Sequence, residues 1–288
     1  MQRMMATQLN LNNTMEAHTN KLLFVLLLFV VSNISRAQEN IQHFKSIALS
    51  EVEMVSIDRV GFFYTIQKNG TVTKFSEDAE QVAGYKQEGK NKFDLFEAWN
   101  GMRLIGFNKE DKSYSLFDRM LNLLETYKLD EALVIDPYLA TITGDNSLWV
   151  LDGKVSTLKK INTLSESVDL EIIVDTNHRR EFDNSNHIKE YQNMLFVNTP
   201  NSGIWVYNSN IGKRMKVLPF KQVNYFNFLG MDLYFIQNDK LHLYDLYSGD
   251  HGIYDLPQAA KFVLLTDETM LLVDNTHIHF YRIDLTDN

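Results

Sequence analysis

Short apolar runs alternate with turn residues along this chain, and six of the runs share one design. They are Val72-Thr73-Lys74-Phe75-Ser76, Tyr114-Ser115-Leu116-Phe117-Asp118, Leu148-Trp149-Val150-Leu151-Asp152, Ile204-Trp205-Val206-Tyr207-Asn208, Leu241-His242-Leu243-Tyr244-Asp245 and Ile278-His279-Phe280-Tyr281-Arg282. Each opens on a bulky apolar residue, carries an aromatic or Leu at its fourth position, and in most cases ends on a small polar residue. The fourth positions fall 42, 34, 56, 37 and 37 residues apart. Strand-like units at a period near 40 are the mark of a repeat architecture.

Each phrase has a partner run just before it, across a turn. Phe62–Ile66 precedes the first across Lys68-Asn69-Gly70, and Arg103–Phe107 precedes the second. Leu139–Ile142 precedes the third across Gly144-Asp145-Asn146-Ser147, and Met194–Val197 the fourth across Pro200-Asn201-Ser202-Gly203. Leu233–Ile236 and Met270–Val273 precede the last two, across Asn238-Asp239 and Asp274-Asn275. Asn, Asp and Gly reach the positive φ values of tight hairpin turns, so these are six hairpins. A further extended run stands before each: Val52–Ile57, Phe93–Ala98, Ala132–Ile135, Ile188–Tyr191, Val223–Phe228 and Phe262–Leu265. Outer strands follow at Gln81–Tyr85 and Met215–Leu218. Met120–Leu133 reads as a short amphipathic helix or as an outer strand with a loop, and the repeat register favours the strand.

Four strands in about 40 residues resemble one blade of a β-propeller. The whole of residues 38–288 resembles the six-bladed, sequence-divergent propellers of the NHL and lactonase kind, which implies an all-β domain of six four-stranded blades. The Gly-His and Trp-Asp pairs of WD40 blades and the paired glycines of kelch blades are missing, so the resemblance carries no family activity with it. Closure is expected from the N-terminal side: Phe44–Leu49 is an orphan strand, the sixth repeat ends after three strands, and an unclosed ring leaves two raw edges. The 56-residue step from Leu151 to Tyr207 implies an insertion of roughly 15–20 residues over the mean repeat, placed at 163–186. Its apolar run Leu170–Val174 is the third blade's outer strand or an extra one. A seventh blade, with a hairpin around Leu158 to Val174, is the alternative count.

The N-terminus reads differently. Leu22–Val31 is an unbroken apolar run with Lys21 before it and Ser35-Arg36-Ala37 after it. That is a secretory signal over residues 1–37, with Met15 a plausible start, and it is short for a membrane span. An uncleaved anchor is the alternative. Export to the periplasm or the extracellular space is thus expected, with no membrane insertion once the signal is removed. The sequence has no cysteine, so packing rather than disulfides must hold the domain. Its net charge of −9 lacks any Lys/Arg block, which disfavours nucleic acid as a partner.

Candidate chemistry is sparse. Cys nucleophiles are excluded, and no Gly-x-Ser-x-Gly elbow, phosphate-cradling Gly loop or His-Glu-x-x-His helix occurs. Asp175, His178, Glu181, Asp183 and His187 supply His and carboxylate donors within thirteen residues and are weak candidates for a metal site. The competing reading is a solvated loop whose acids Arg179 and Arg180 neutralise. His277 and His279 alternate with apolar residues, which puts both imidazoles on one face of a strand. Trp149 and Trp205 share a phrase position and suggest packing between blades; with Trp99 they could instead stack on sugars. Asp58-Arg59, Asn100-Gly101, Asp136-Pro137 and Asp267-Glu268 are placed on one rim, where an acidic surface would attract a basic partner, although turn capping explains them as well.

The function expected from these features is a monomeric, non-catalytic binding or scaffold propeller with a protein partner and no cofactor. A metal-dependent propeller hydrolase or lactonase is one alternative and a glycan-binding module the other.

Overall fold

A computed structural model describes residues 41–49, 51–86, 92–98, 103–145, 147–174 and 182–283. The expected signal segment 1–37 lies outside these residues, as do Trp99, Asn100-Gly101, Asp175, His178 and Glu181.

Strand β1 (Ile41–Ala48) comes first in the chain but belongs to the last sheet. Blade one is β2 (Val52–Ile57), β3 (Phe63–Gln67), β4 (Val72–Phe75) and β5 (Gln81–Tyr85). Blade two is β6 (Leu95–Glu97), β7 (Leu104–Asn108), β8 (Ser113–Phe117) and β9 (Leu123–Lys128). Blade three is β10 (Pro137–Ile142), β11 (Leu148–Asp152), β12 (Thr157–Asn162) and β13 (Ser167–Ile173). Blade four is β14 (His187–Tyr191), β15 (Met194–Thr199), β16 (Gly203–Asn208) and β17 (Arg214–Leu218). Blade five is β18 (Phe226–Leu229), β19 (Asp232–Gln237), β20 (Lys240–Asp245) and β21 (His251–Asp255). Blade six is β22 (Phe262–Leu265), β23 (Thr269–Val273) and β24 (His277–Ile283), with β1 as its outer strand. All six sheets are antiparallel, and the inner strands neighbour one another round the ring, β19 of blade five meeting β22 and β22 returning to β2. The fold is a six-bladed β-propeller.

Burial follows from this geometry. The second strands are buried along nearly their whole length because blades cover both of their faces, whereas the outer strands β5, β9 and β21 are largely exposed. One apolar cluster joins the last blade to the first: Phe280, Ile278 and Leu271 pack with Phe63, Phe75 and Val55, and Phe44 and Ile47 of β1 lie against them. The Phe280 ring stands about 6 Å from the rings of Phe44, Phe63 and Phe75 alike. Polar ties reinforce the seam. Lys45 Nζ donates to the Ala79 carbonyl at 2.8 Å, Lys261 Nζ to the Val52 carbonyl at 2.9 Å, and Arg282 pairs with Asp78. The expected closing strand is therefore present, and it begins three residues earlier than its sequence pattern suggests.

Blade three departs from the expected register. Leu148–Asp152 is its second strand, not its third, and Leu139–Ile142 belongs to its innermost strand. Ala132–Ile135 is not a strand: Asp130 accepts the amides of Ala132, Leu133 and Val134 and folds them into a turn. A recurrent irregularity marks the true repeat. In five blades the pairing of third and outer strands slips at one place, at Phe75, Phe117, Ile161, Tyr207 and Tyr281. With Ile161 in place of Leu151 the long step divides almost evenly. Within the expected insertion at 163–186, the run Leu170–Ile173 lies in the outer strand β13, and the longer part is the connection from β13 to β14. The hairpin around Leu158 to Val174 belongs to blade three, so there is no seventh blade among the described residues.

In five of the six blades the polar residue closing the third strand caps the next turn. Asp118, Asn162, Asn208 and Asp245 each accept amides two or more residues ahead, and Ser76 Oγ accepts the Glu80 amide.

Candidate functional site

The first strands place their inward side chains round the propeller axis. Glu97 of β6 and Lys189 of β14 come from blades two and four, yet Lys189 Nζ donates to Glu97 Oε1 at 2.6 Å. Both side chains are almost fully buried, at 4% and 3% exposure. Thr141 of β10, between them, reaches the other Glu97 oxygen at 3.4 Å, and Ser56 Oγ of β2 accepts the Ala98 amide at 3.0 Å. A buried carboxylate and ammonium persist only when paired, so this bond ties blade two to blade four with matched charge.

His187 stands two residues before Lys189 on the same strand face. Its Nε2–H donates to the Phe226 carbonyl at 3.1 Å, and its ring lies 4.9 Å from that of Tyr225. Burial first, then the Lys189 ammonium, push the imidazole down to about 3. Asp183 lies elsewhere, in a separate cavity of about 220 Å³ with Asp136, Tyr138 and Ser156. The two described members of the loop cluster are therefore not brought together. The residue that anchors this loop is Phe182, fully buried and 5.3 Å from the Trp205 ring. Its aromatic character between polar neighbours is the signal that donor counting passes over.

The tryptophans settle into the core. Trp149 and Trp205 belong to one apolar cluster between blades three and four, although they sit on a second and a third strand. Trp149 is 0% exposed, and Trp205 donates its indole N–H to Thr199 Oγ1. Neither offers a face to a sugar.

Two rims remain. One carries the turns between first and second strands. There a depression of about 440 Å³ opens over the axis, and residues of blades one, four, five and six line it. Ile57, Leu265 and Tyr191 form its apolar part, and the rings of Tyr191 and Phe228 stack in parallel at 4.3 Å. Glu77, Asp267 and Glu268 add acidic groups, with Arg59 the one basic residue in the described lining. Asp267 and Glu268 are exposed, as are Val60 in the lining and Met231 next to it. Asp58 faces inward: it accepts the amides of Val60 and Phe62 and the Tyr64 hydroxyl, and Lys74 lies 3.8 Å away. Asp58 is thus a turn-capping group, and Asp267 and Glu268 carry the acidic character of the rim. Asp136-Pro137 leads into an innermost strand, so it lies on the opposite rim from Asp58 and Asp267, contrary to the sequence reading.

His277 and His279 do share a strand face, and Asp274 joins them. One nitrogen of each imidazole and a carboxylate oxygen of Asp274 lie within 4.8 Å of one another.

The fold has solved counterparts. The WD40 domain of Pan2 from Neurospora crassa is similar over 85% of this chain and 95% of that one, at 9% identity and a TM-score of 0.55. BamB from Moraxella catarrhalis is similar over 86% and 99%, at 8% identity and a TM-score of 0.50. A catalytically inactive virginiamycin B lyase from Staphylococcus aureus, with quinupristin, is similar over 82% and 81%, at 13% identity and a TM-score of 0.52. Identities this low define a shared fold. No protein-family model matches the chain, and no curated protein matches it in sequence. The class is that of divergent six-bladed β-propellers. Among the described residues no helix is long and apolar enough to cross a membrane.

Proposed function

We propose that this chain is a non-catalytic binding propeller, exported to the periplasm or the cell exterior, that holds a basic, partly apolar segment of another protein at the depression beside Asp267 and Glu268. The observation carrying this reading is the pairing of opposites on one rim: exposed Val60 in the depression, with exposed Met231 next to it, beside the exposed acids Asp267 and Glu268. Apolar burial supplies affinity at such a site, and the acids select cationic partners and speed their approach. Export is supported by Leu22–Val31 and Ser35-Arg36-Ala37. A panel of Lys/Arg-rich peptides containing aromatic residues tests the reading by fluorescence anisotropy. Binding that weakens with salt and is lost in Asp267→Lys/Glu268→Lys supports it; no binding, or binding blind to both changes, refutes it.

A further inference from the structure

The seam that closes the ring carries a second arrangement, remote from the depression. Asp274 opens the turn between β23 and β24, and His277 and His279 project from the same side of β24. The Asp274 carboxylate is oriented by its own turn. Oδ1 accepts the amides of Thr276 and His277, both at 2.7 Å, and the Thr276 hydroxyl at 3.0 Å. Oδ2 turns to His279 Nε2 at 3.0 Å.

The hydroxyl neighbours set the imidazoles. Thr276 gives its proton to Asp274, so its oxygen accepts from His277 Nδ1–H at 2.8 Å, leaving the lone pair of His277 on Nε2. His279 Nδ1 meets Ser46 Oγ of β1 at 2.8 Å, and Ser46 Oγ meets His43 Nε2 at 2.7 Å. Ser46 lies directly across from His279 in the β1–β24 ladder. An imidazole whose second nitrogen is fixed by an outer partner is the usual state of a metal-bound histidine.

We propose that Asp274, His277 and His279 bind one borderline-soft divalent cation of the zinc type at the ring-closing seam, with Ser46 as a positioning residue. Two imidazoles and one carboxylate suit zinc, whereas calcium and magnesium require more oxygen donors. Tetrahedral zinc places its ligand atoms about 3.3 Å apart. The Asp274–His279 pair already meets that spacing, and His277 approaches by side-chain rotation. The cation takes the place of the proton between His279 Nε2 and Asp274 Oδ2. That proton is carried instead on His279 Nδ1, which then donates to Ser46 Oγ, and the Ser46 hydroxyl turns to His43. Because Ser46 belongs to β1, the ion fastens the closing strand to β24.

The test uses the full chain, stripped with chelator and titrated with zinc chloride alone by calorimetry, with a parallel thermal melt. One zinc per chain and a rise in Tm are expected. Asp274→Asn keeps the Oδ1 acceptor of the turn, and it should weaken binding at least tenfold with an unchanged zinc-free Tm. His277→Ala should do the same, and Ser46→Ala should weaken binding about tenfold while leaving the stoichiometry at one. His242→Ala, in the remote His242–His251 pair, should leave zinc affinity and stoichiometry unchanged. No uptake at 100-fold excess over protein, or uptake equal in the wild type and Asp274→Asn, overturns the proposal.

Discussion

Lys189 and Glu97 meet at 2.6 Å between the innermost strands of blades four and two, although 92 residues separate them in the chain and a whole blade lies between their own. Removing one partner strands a buried charge, which typically costs about 3–5 kcal/mol. Lys189→Met and Glu97→Gln should each lower the urea midpoint strongly. The double variant Glu97→Leu/Lys189→Met should recover most of the loss, because an apolar pair leaves no charge unpaired. A double variant as unstable as the sum of the two singles would show that the pair is not the unit of stabilisation.

The closing strand yields the second prediction. A chain shortened to begin at Val52 loses Phe44, Ile47 and Leu49 from the seam and exposes the edge of β24. Burial of these side chains alone is worth on the order of 5 kcal/mol. A large fall in Tm and a tendency to associate through the open edge are expected in melting and light-scattering experiments. Unchanged stability would mean that blade six holds without β1.

His187 makes stability depend on pH. Its folded pKa of about 3 lies below the unfolded value of 6.5, so the unfolded chain binds the extra proton between these limits. Its contribution is therefore complete above pH 6.5 and declines as pH falls toward 3. Between pH 6.5 and 5 the loss is about 2 kcal/mol. Urea midpoints at pH 7.5 and 5 should show it in the wild type, and His187→Gln should show a smaller difference. Equal differences would assign the pH dependence to other groups.

One glycine has no substitute. Gly203 opens β16 at φ 115°, and a Cβ there would lie 2.1 Å from the Leu218 carbonyl oxygen of the neighbouring strand. Gly203→Ala should cost about 1–3 kcal/mol or more in chemical denaturation. The φ alone disfavours alanine, and the carbonyl is backbone that cannot move aside without breaking the β16–β17 ladder.

Much of this architecture is legible in the chain, for a physical reason. A strand covered on both faces must be apolar throughout, so second strands such as Leu271–Val273 and aromatic ends such as Phe117 declare themselves. The reading slipped at blade three because its third strand, Thr157–Asn162, carries Lys159 and Lys160, while Leu148–Asp152 in the second strand imitates a third. Lys159 is there to reach Asp152 at 3.2 Å and the Leu133 carbonyl at 2.8 Å, which a hydrophobic pattern cannot register. Ile161-Asn162, an apolar residue followed by a turn cap, was the surviving signal. This buried pair was not legible, since Glu97 and Lys189 acquire meaning only when the ring brings blades two and four together. The His277 and His279 pair was visible as alternation, but Ser46 and His43 reach it only through closure of the ring.

The reading of the acidic depression as the binding face is tested most directly by hydrogen–deuterium exchange of the full chain, with and without a saturating Lys/Arg-rich aromatic peptide. Slower exchange is predicted at residues 58–61, 229–232 and 266–268, the turns round Tyr191 and Phe228. Protection confined to the opposite rim, near Asp136 and Asp239, would contradict it.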